Sequence, residues 1–252
     1  MQIPSLCAIF LTLLLATGVN AFAAAPPASD ADTAKLAAIP NSLAPFIEKH
    51  DIAGAVTFVA NRGKVLALDA QGMADVGKNE PMKTDAMFWI ASMTKPITAT
   101  AIMMLQEEGK LSVEDPVGKY IPELAHLKTA DGKEHIVTLR HLLTHSSGMP
   151  EPTGAQSHAA RTLAELIPHF AEKPLQFEPG AKWQYCQSGI NTLGRIIEVV
   201  SGQSYPDFLQ ARLFDPLGLK DTTFYPNKEQ VTRIAKSYKL TDGQLQEVPT
   251  PL

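Results

Sequence analysis

A serine and a lysine stand three residues apart, Ser92 and Lys95, at the head of an apolar stretch that runs on to Leu105. Pro96 to Leu105 contains no breaker, and Ile97, Ala101, Ile102 and Leu105 recur at the spacing of one buried helical face. Gly109 supplies a stop signal. Residues i and i+3 share a helix face, so the spacing predicts the Lys95 amine within reach of the Ser92 hydroxyl. Unpaired N–H groups and the positive dipole end at a helix start favour a serine alkoxide and the negative charge that follows its attack. The implied chemistry is that of an activated serine nucleophile. The tetrad alone is weak: 12 serines and 16 lysines in 252 positions give roughly 0.8 chance matches, and a serine N-cap followed by a solvated lysine has the same signature.

The elements that must position this pair are legible on both sides of it. Asp32 to His50 has Leu36, Ile39, Leu43, Phe46 and Ile47 on one side of a predicted helix made irregular by Pro40 and Pro45. Ala55–Ala60 and Lys64–Asp69 read as a hairpin around Asn61-Arg-Gly63, and Gly72 to Asp85 as a polar loop. Beyond the central helix come turns over residues 111–122, a short helix within Val137–Pro150 ending at Gly148, a helical piece over Leu163–Phe170, a turn at Phe177-Glu-Pro-Gly180, a helix over Ile190–Val200 closed by Gly202, and a further helix over Phe208–Leu213.

Three other patterns are set aside on chemical grounds. Gly72-Met-Ala-Asp-Val-Gly-Lys-Asn79 matches a phosphate loop except at Asn79, and no helix follows to receive phosphate. His141 and His145 stand four apart, but no glutamate follows His141 and no third ligand is near, so they read as histidines at the carbonyl end of a short helix. Gly202-Gln-Ser-Tyr-Pro206 fails the last position of a nucleophile elbow, which argues against an α/β-hydrolase. No cofactor or metal is implied.

The N-terminus reads as a secretory signal peptide over residues 1–23: an apolar core from Leu6 to Val19 is followed by small residues suited to cleavage after Ala23 or Ala25. An uncleaved anchor is the alternative, because no Lys or Arg precedes the core. Cys7 leaves with the signal and Cys186 remains, so the mature chain has no intrachain disulfide. A periplasmic or secreted location follows, with residues 24–252 as one domain. The formal charge of −4 offers no basic face to nucleic acid or anionic lipid. No later run is apolar and long enough to span a bilayer.

Ile90-Ala-Ser-Met-Thr-Lys95, Leu139-Arg-His-Leu-Leu-Thr-His-Ser-Ser-Gly148, Phe177-Glu-Pro-Gly180, Tyr185 with Gly194-Arg-Ile-Ile-Glu-Val-Val-Ser-Gly202, and Leu213-Phe-Asp-Pro-Leu-Gly-Leu219 together resemble the serine β-lactamase-related family. That family includes class C β-lactamases, penicillin-binding D-alanyl-D-alanine carboxypeptidases and β-lactamase-like esterases. The resemblance runs from about Ala37 to the C-terminus. It implies an acyl-enzyme mechanism on a β-lactam, a peptidoglycan peptide or a small ester, with Ser92 as nucleophile, Lys95 as the partner that takes its proton, and Tyr185 as a proton shuttle to the leaving group. The Ser92 N–H would form half of an oxyanion hole. A structural tyrosine beside Trp183 is the other reading of Tyr185.

Two departures from the family accompany the resemblance. Where the family commonly has Tyr-x-Asn, this chain has Tyr185-Cys-Gln187, so Gln187 becomes the candidate substrate-binding residue with a longer side chain. No Lys-Thr-Gly or His/Trp-x-Gly triplet in a strand follows before Leu252. The expected fold is therefore α+β, β-lactamase/transpeptidase-like. An antiparallel sheet region over residues 32–85 and a mainly helical region over 86–225 would have Ser92 between them, with the C-terminal strands missing and the hairpin's apolar face uncovered. A non-catalytic or truncated ligand-binding member of the same fold is the rival to the hydrolase.

Overall fold

The computed structural model describes residues 30–61 and 64–250; the expected signal peptide and the Arg62-Gly63 part of the hairpin turn lie outside them. The described chain forms two compact units, one of residues up to Thr84 with Tyr238–Gln246, the other of Asp85–Ser237 with the residues from Glu247.

In the first unit, helix α1 (Asp30–Glu48) precedes strands β1 (Gly54–Asn61), β2 (Lys64–Asp75) and β3 (Glu80–Pro81), which form an antiparallel sheet in the order β1-β2-β3. β2 thus continues through Gly72 to Asp75, and the expected polar loop shrinks to a turn in which Asn79 has a positive φ of 54°. The backbone needs glycine at Gly72: its φ is 72°, and a Cβ there would lie 2.4 Å from the Ala53 carbonyl oxygen. α1 packs on β1 and β2 through half-buried Leu36, Ile39, Leu43 and Ile47. Phe58 and Leu68 are cross-strand partners, and they remain 61 % and 48 % exposed, which is the uncovered apolar face expected of this hairpin.

A second hairpin, absent from the sequence reading, joins β6 (Ser237–Thr241) and β7 (Gln244–Val248). Asp242 and Gly243 connect it with φ of 50° and 74°, the double positive φ that a two-residue primed turn requires. The Tyr238 hydroxyl accepts the Val76 N–H at 2.7 Å, tying this hairpin to the end of β2.

The second unit holds the apolar core. Its elements are α2 (Thr94–Glu107), the short pair β4 (Leu127–Lys128) and β5 (Glu134–His135), α3 (Leu139–Leu143), α4 (Gly154–Ala159), α5 (Leu163–Ala171), α6 (Gln187–Ser201), α7 (Tyr205–Leu209) and α8 (Lys228–Thr232). α6 is central and packs against α2, α3, α5 and α7. Its Leu193, Ile196 and Ile197 are fully buried with Ile102 and Leu105 of α2 and Leu139 and Leu142 of α3, each such side chain contributing about 1.5–3 kcal/mol. Gly202 closes α6 in the left-handed region, φ 71°.

Several helix boundaries differ from the sequence reading: α3 ends at Leu143 and turns reach on toward Gly148, and α6 starts at Gln187, three residues before the expected Ile190. The piece expected over 208–213 is α7 followed by a wider π-helical turn over Gln210–Phe214, with the Asp215 N–H donating to the Gln210 carbonyl at 2.9 Å. α4 and α8 are additional, and each is started by a capping box, Thr153 with Gln156 and Asn227 with Gln230.

Candidate active site

Ser92 sits in a single 3-10 turn, Ala91–Met93, immediately before α2 rather than inside it. The approach to that turn is fixed by a parallel bridge between Met87 and Ile234: the Met87 N–H donates to the Arg233 carbonyl at 2.8 Å, and the Ala235 N–H donates back to Met87 at 2.9 Å. Arg233 is itself held by ion pairs to Asp221 and Glu229. Ala91 takes a φ of 44°, a left-handed conformation that costs a non-glycine residue about 1–2 kcal/mol. Pro96 then falls in the first turn of α2, where its missing N–H removes no hydrogen bond.

The second wall comes from the start of α6. Cys186 is its N-cap, the thiol accepting the Gly189 N–H at 3.4 Å. The Glu151 carboxylate also closes this helix start: it accepts the Gln187 N–H and, at 3.1 Å, the Ser188 N–H. The Ser188 hydroxyl lies 2.7 Å from the Pro150 carbonyl and 2.8 Å from Glu151 Oε2. An acid at this end is favoured by the helix dipole. Gln187 and Tyr185 therefore leave a fixed point in opposite chain directions.

These walls bring all four sequence-derived candidates together. Lys95 Nζ donates to Ser92 Oγ at 3.2 Å and to Gln187 Oε1 at 2.6 Å. The Tyr185 hydroxyl donates to Ser92 Oγ at 2.5 Å. Lys95 Nζ also lies 4.7 Å from the centre of the Tyr185 ring, and Gln187 Nε2 donates to Asn191 Oδ1 at 3.2 Å. Tyr185 is not a core residue beside Trp183; it is 48 % exposed with its oxygen on the serine. The Lys95 ammonium, and next the Ser92 hydrogen bond, hold the Tyr185 hydroxyl below its ordinary value.

His141 and His145 do not serve the carbonyl end of α3. His141 lies in the first turn, where its Nδ1 accepts the Thr138 N–H at 3.2 Å in a capping box. His145 lies past the helix end with a φ of 56°. Its ring packs 4.8 Å from that of Tyr185, and its Nδ1 accepts the Cys186 N–H at 3.2 Å. Burial, and after it the Lys95 charge, lowers the His145 pKa, which keeps the ring neutral and Nδ1 free to accept. Among the described residues no group of three His, Cys, Asp or Glu side chains is placed to hold a metal ion.

Ser92, Lys95 and Gln187 line a cleft of about 750 Å³. Trp89 and Tyr225 flank it, Leu163, Leu166 and Ile190 form an apolar floor, and Arg161 and Glu198 add charge. Glu198 is committed to Arg195 at 2.9 Å and to the Tyr205 N–H at 3.1 Å. His145 and Glu151 are the site residues that sequence reasoning missed. A paired histidine suggested metal or a helix end, and Glu151 carries no local signal at all, since its partners lie 36 and 37 residues away.

A family model described as Beta-lactamase matches residues 39–252. Esterase EstB of Burkholderia gladioli is 35% identical over 238 residues, 88% of this chain and 59% of its own length. Penicillin-binding protein 4* of Bacillus subtilis is 34% identical over 194 residues, 74% of this chain and 41% of its own. Among solved structures, EstCE1, a hydrolase with promiscuous acyltransferase activity, superposes with a TM-score of 0.77 at 27% identity, covering 86% of this chain and 59% of that one. The chain thus spans about half the length of the curated relatives it matches, and its α+β fold is that of the β-lactamase/transpeptidase group.

Proposed function

The chain belongs to the Beta-lactamase family, and from that premise we propose that it is a serine hydrolase working through an acyl-enzyme on Ser92. The observation that carries this is the pair of hydrogen bonds converging on Ser92 Oγ, from Lys95 at 3.2 Å and Tyr185 at 2.5 Å.

The reacting form is the one in which Tyr185 has given up its proton and the Lys95 ammonium holds the phenolate. Ser92 Oγ attacks the substrate carbonyl carbon as its proton passes to the Tyr185 oxygen, the nearer partner. The new Oγ–C bond leaves negative charge on the carbonyl oxygen, which the Ser92 N–H meets as one oxyanion donor. Collapse breaks the bond to the leaving oxygen or nitrogen, and Tyr185 returns its proton there. Water then repeats the sequence: it gives a proton to Tyr185, breaks the Oγ–C bond, and Ser92 Oγ recovers the proton. This order departs from the expectation that Lys95 takes the Ser92 proton: with Nζ donating to both Ser92 Oγ and Gln187 Oε1, Lys95 acts as the fixed cation of the couple and Gln187 holds it in place.

The substrate is a carboxylic ester, a β-lactam or a peptidoglycan-type peptide, a range supported by relatives named as an esterase and as a penicillin-binding protein. One observation favours a second reading, a binding member of the family without turnover: the shorter of the two Lys95 hydrogen bonds goes to Gln187, not to Ser92. Exposure to a serine-reactive phosphonate, followed by intact-mass spectrometry with Ser92→Ala as control, separates the two. One adduct that is lost in the variant supports the hydrolase and opens a screen of esters, β-lactams and peptides; no adduct on folded protein leaves the binding reading.

Export to the periplasm or medium is the matching proposal for location, resting on the apolar run and small residues before Ala25. Cell fractionation with mass determination of the mature N-terminus tests it. Recovery of the uncleaved chain in the cytoplasm sinks it. No helix among the described residues is long and apolar enough to cross a membrane.

A further inference from the structure

We propose that Glu151 is a positioning residue of the Ser92 site: its carboxylate fixes the first turn of α6, and through that turn sets Tyr185 and Gln187 against Ser92 and Lys95. The inference rests on the serine-hydrolase reading above and adds to it a residue that touches no reacting atom.

The geometry is specific. Glu151 Oε1 accepts the Gln187 N–H, Glu151 Oε2 accepts the Ser188 N–H at 3.1 Å, and the Ser188 hydroxyl is 2.8 Å from the same oxygen. Ser188 is fully buried, so without the carboxylate its N–H has no solvent to turn to, and a buried unpaired donor is costly. Gln187 directly precedes Ser188 and has its side chain on Lys95, and Cys186 comes before that with its N–H on His145, whose ring lies against Tyr185. One carboxylate therefore closes a ring of contacts through both walls of the site.

Its charge acts as well as its shape. The groups that face this turn are Lys95 from α2, His145 from the segment after α3, and Tyr185 and Cys186 from the approach to α6. Glu151 opposes the Lys95 charge at Tyr185 and at His145, raising what Lys95 lowers. A plain helix cap would change stability, and its charge would act on Tyr185 through space alone; a positioning carboxylate also moves Tyr185 when the charge is kept and only the reach is shortened.

The test compares wild type with Glu151→Gln, which keeps the shape and drops the charge, and Glu151→Asp, which keeps the charge on a shorter arm. Two readouts are taken on folded protein at each pH: the ultraviolet absorbance of the Tyr185 phenolate, assigned by its loss in Tyr185→Phe, and the phosphonate labelling rate of Ser92 by intact mass. In both variants plateau labelling is expected to fall about tenfold, the scale of a small misplacement of reacting groups; in Glu151→Asp, where the charge stays and the reach is lost, the Tyr185 titration is expected to move to higher pH as Tyr185 loosens from Lys95. An unmoved Tyr185 titration in folded Glu151→Asp overturns the proposal whatever happens to stability. Absence of Ser92 labelling in wild type defeats the hydrolase reading instead, and the absorbance titration still decides the role of Glu151.

Discussion

Lys95 Nζ lies 0.6 Å closer to Gln187 than to Ser92, 2.6 Å from Oε1 against 3.2 Å from Oγ. A side chain from the first residue of α6 thus anchors the cation that serves the serine on the turn before α2. Gln187→Ala removes that anchor and lets the ammonium drift; the labelling rate of Ser92 is expected to fall by about one to two orders of magnitude, the scale of lost orientation, with little change in urea midpoint because Gln187 is exposed. An unchanged rate would show that Lys95 needs no second acceptor.

Tyr185→Phe deletes the proton acceptor while keeping the ring against His145. Turnover is expected to drop about 10²–10⁴-fold, the range for a general acid–base group. In wild type the rate rises with pH as Tyr185 loses its proton, and because Lys95 lowers that pKa the rise falls below the ordinary tyrosine range. The pH–rate profile checks this: a rise that survives in Tyr185→Phe would assign it to another group.

Stability should weaken in mild acid. The His145 and His141 imidazoles are both lowered by burial from an ordinary value of 6.5. As the pH falls through 6.5 the unfolded chain takes up protons before the folded one, so folding free energy is lost from there down to the lower folded values and is intact above. Lys95, Tyr185, Cys186 and Glu151 are the charged or titratable groups around His145. His145→Asn, which tolerates the positive φ and still offers an acceptor to Cys186, should flatten the dependence of urea midpoint on pH between neutrality and pH 5. The same slope in the variant would remove His145 from the account.

Thr98 and Tyr205 share a fully internal hydrogen bond of 2.7 Å that joins α2 to α7. Tyr205→Phe leaves one hydroxyl of the pair without its partner, at a cost of about 1–3 kcal/mol. Thr98 keeps a bond to the Thr94 carbonyl at 3.1 Å, which places the expectation toward the lower end. Urea unfolding with an unchanged m value is the check, and a double-mutant cycle with Thr98→Val isolates the pair.

Ala91→Gly should release the strain at φ 44° and raise stability by about 1 kcal/mol, while a looser turn labels more slowly at Ser92. Faster labelling in the variant would mean that the alanine hinders the nucleophile instead of holding it.

The helices that bury a stripe were legible in the sequence, since Ile102 with Leu105 and Leu193 with Ile197 repeat at helical spacing and are buried. The start of α6 was not: Gln187, Ser188 and Gly189 have no apolar rhythm, and a cysteine is a rare cap, so the reading began at Ile190. The β6–β7 hairpin has a short signal, Asp242-Gly243 and the alternation of Tyr238 and Leu240 with polar neighbours over only five residues in β6, while β7 offers just Leu245 and Val248, on opposite faces. Of the site, Ser92, Lys95, Tyr185 and Gln187 were named from motifs and stand within one hydrogen-bonded cluster. Glu151 and His145 act through contacts with residues 35 or more positions away, and no window of sequence contains both ends of such a contact.

Cys186 gives this molecule a built-in clock. Burial pushes its thiol up to about 11, so at neutral pH a thiol-alkylating reagent finds neither an accessible sulfur nor a thiolate. Alkylation must wait until the first turn of α6 comes apart, and each modified molecule therefore records one such opening. Since that same turn carries Gln187 onto Lys95, the clock counts how often the Ser92–Lys95–Gln187 cluster itself dissolves, and a ligand seated between Ser92 and Gln187 should make it tick more slowly.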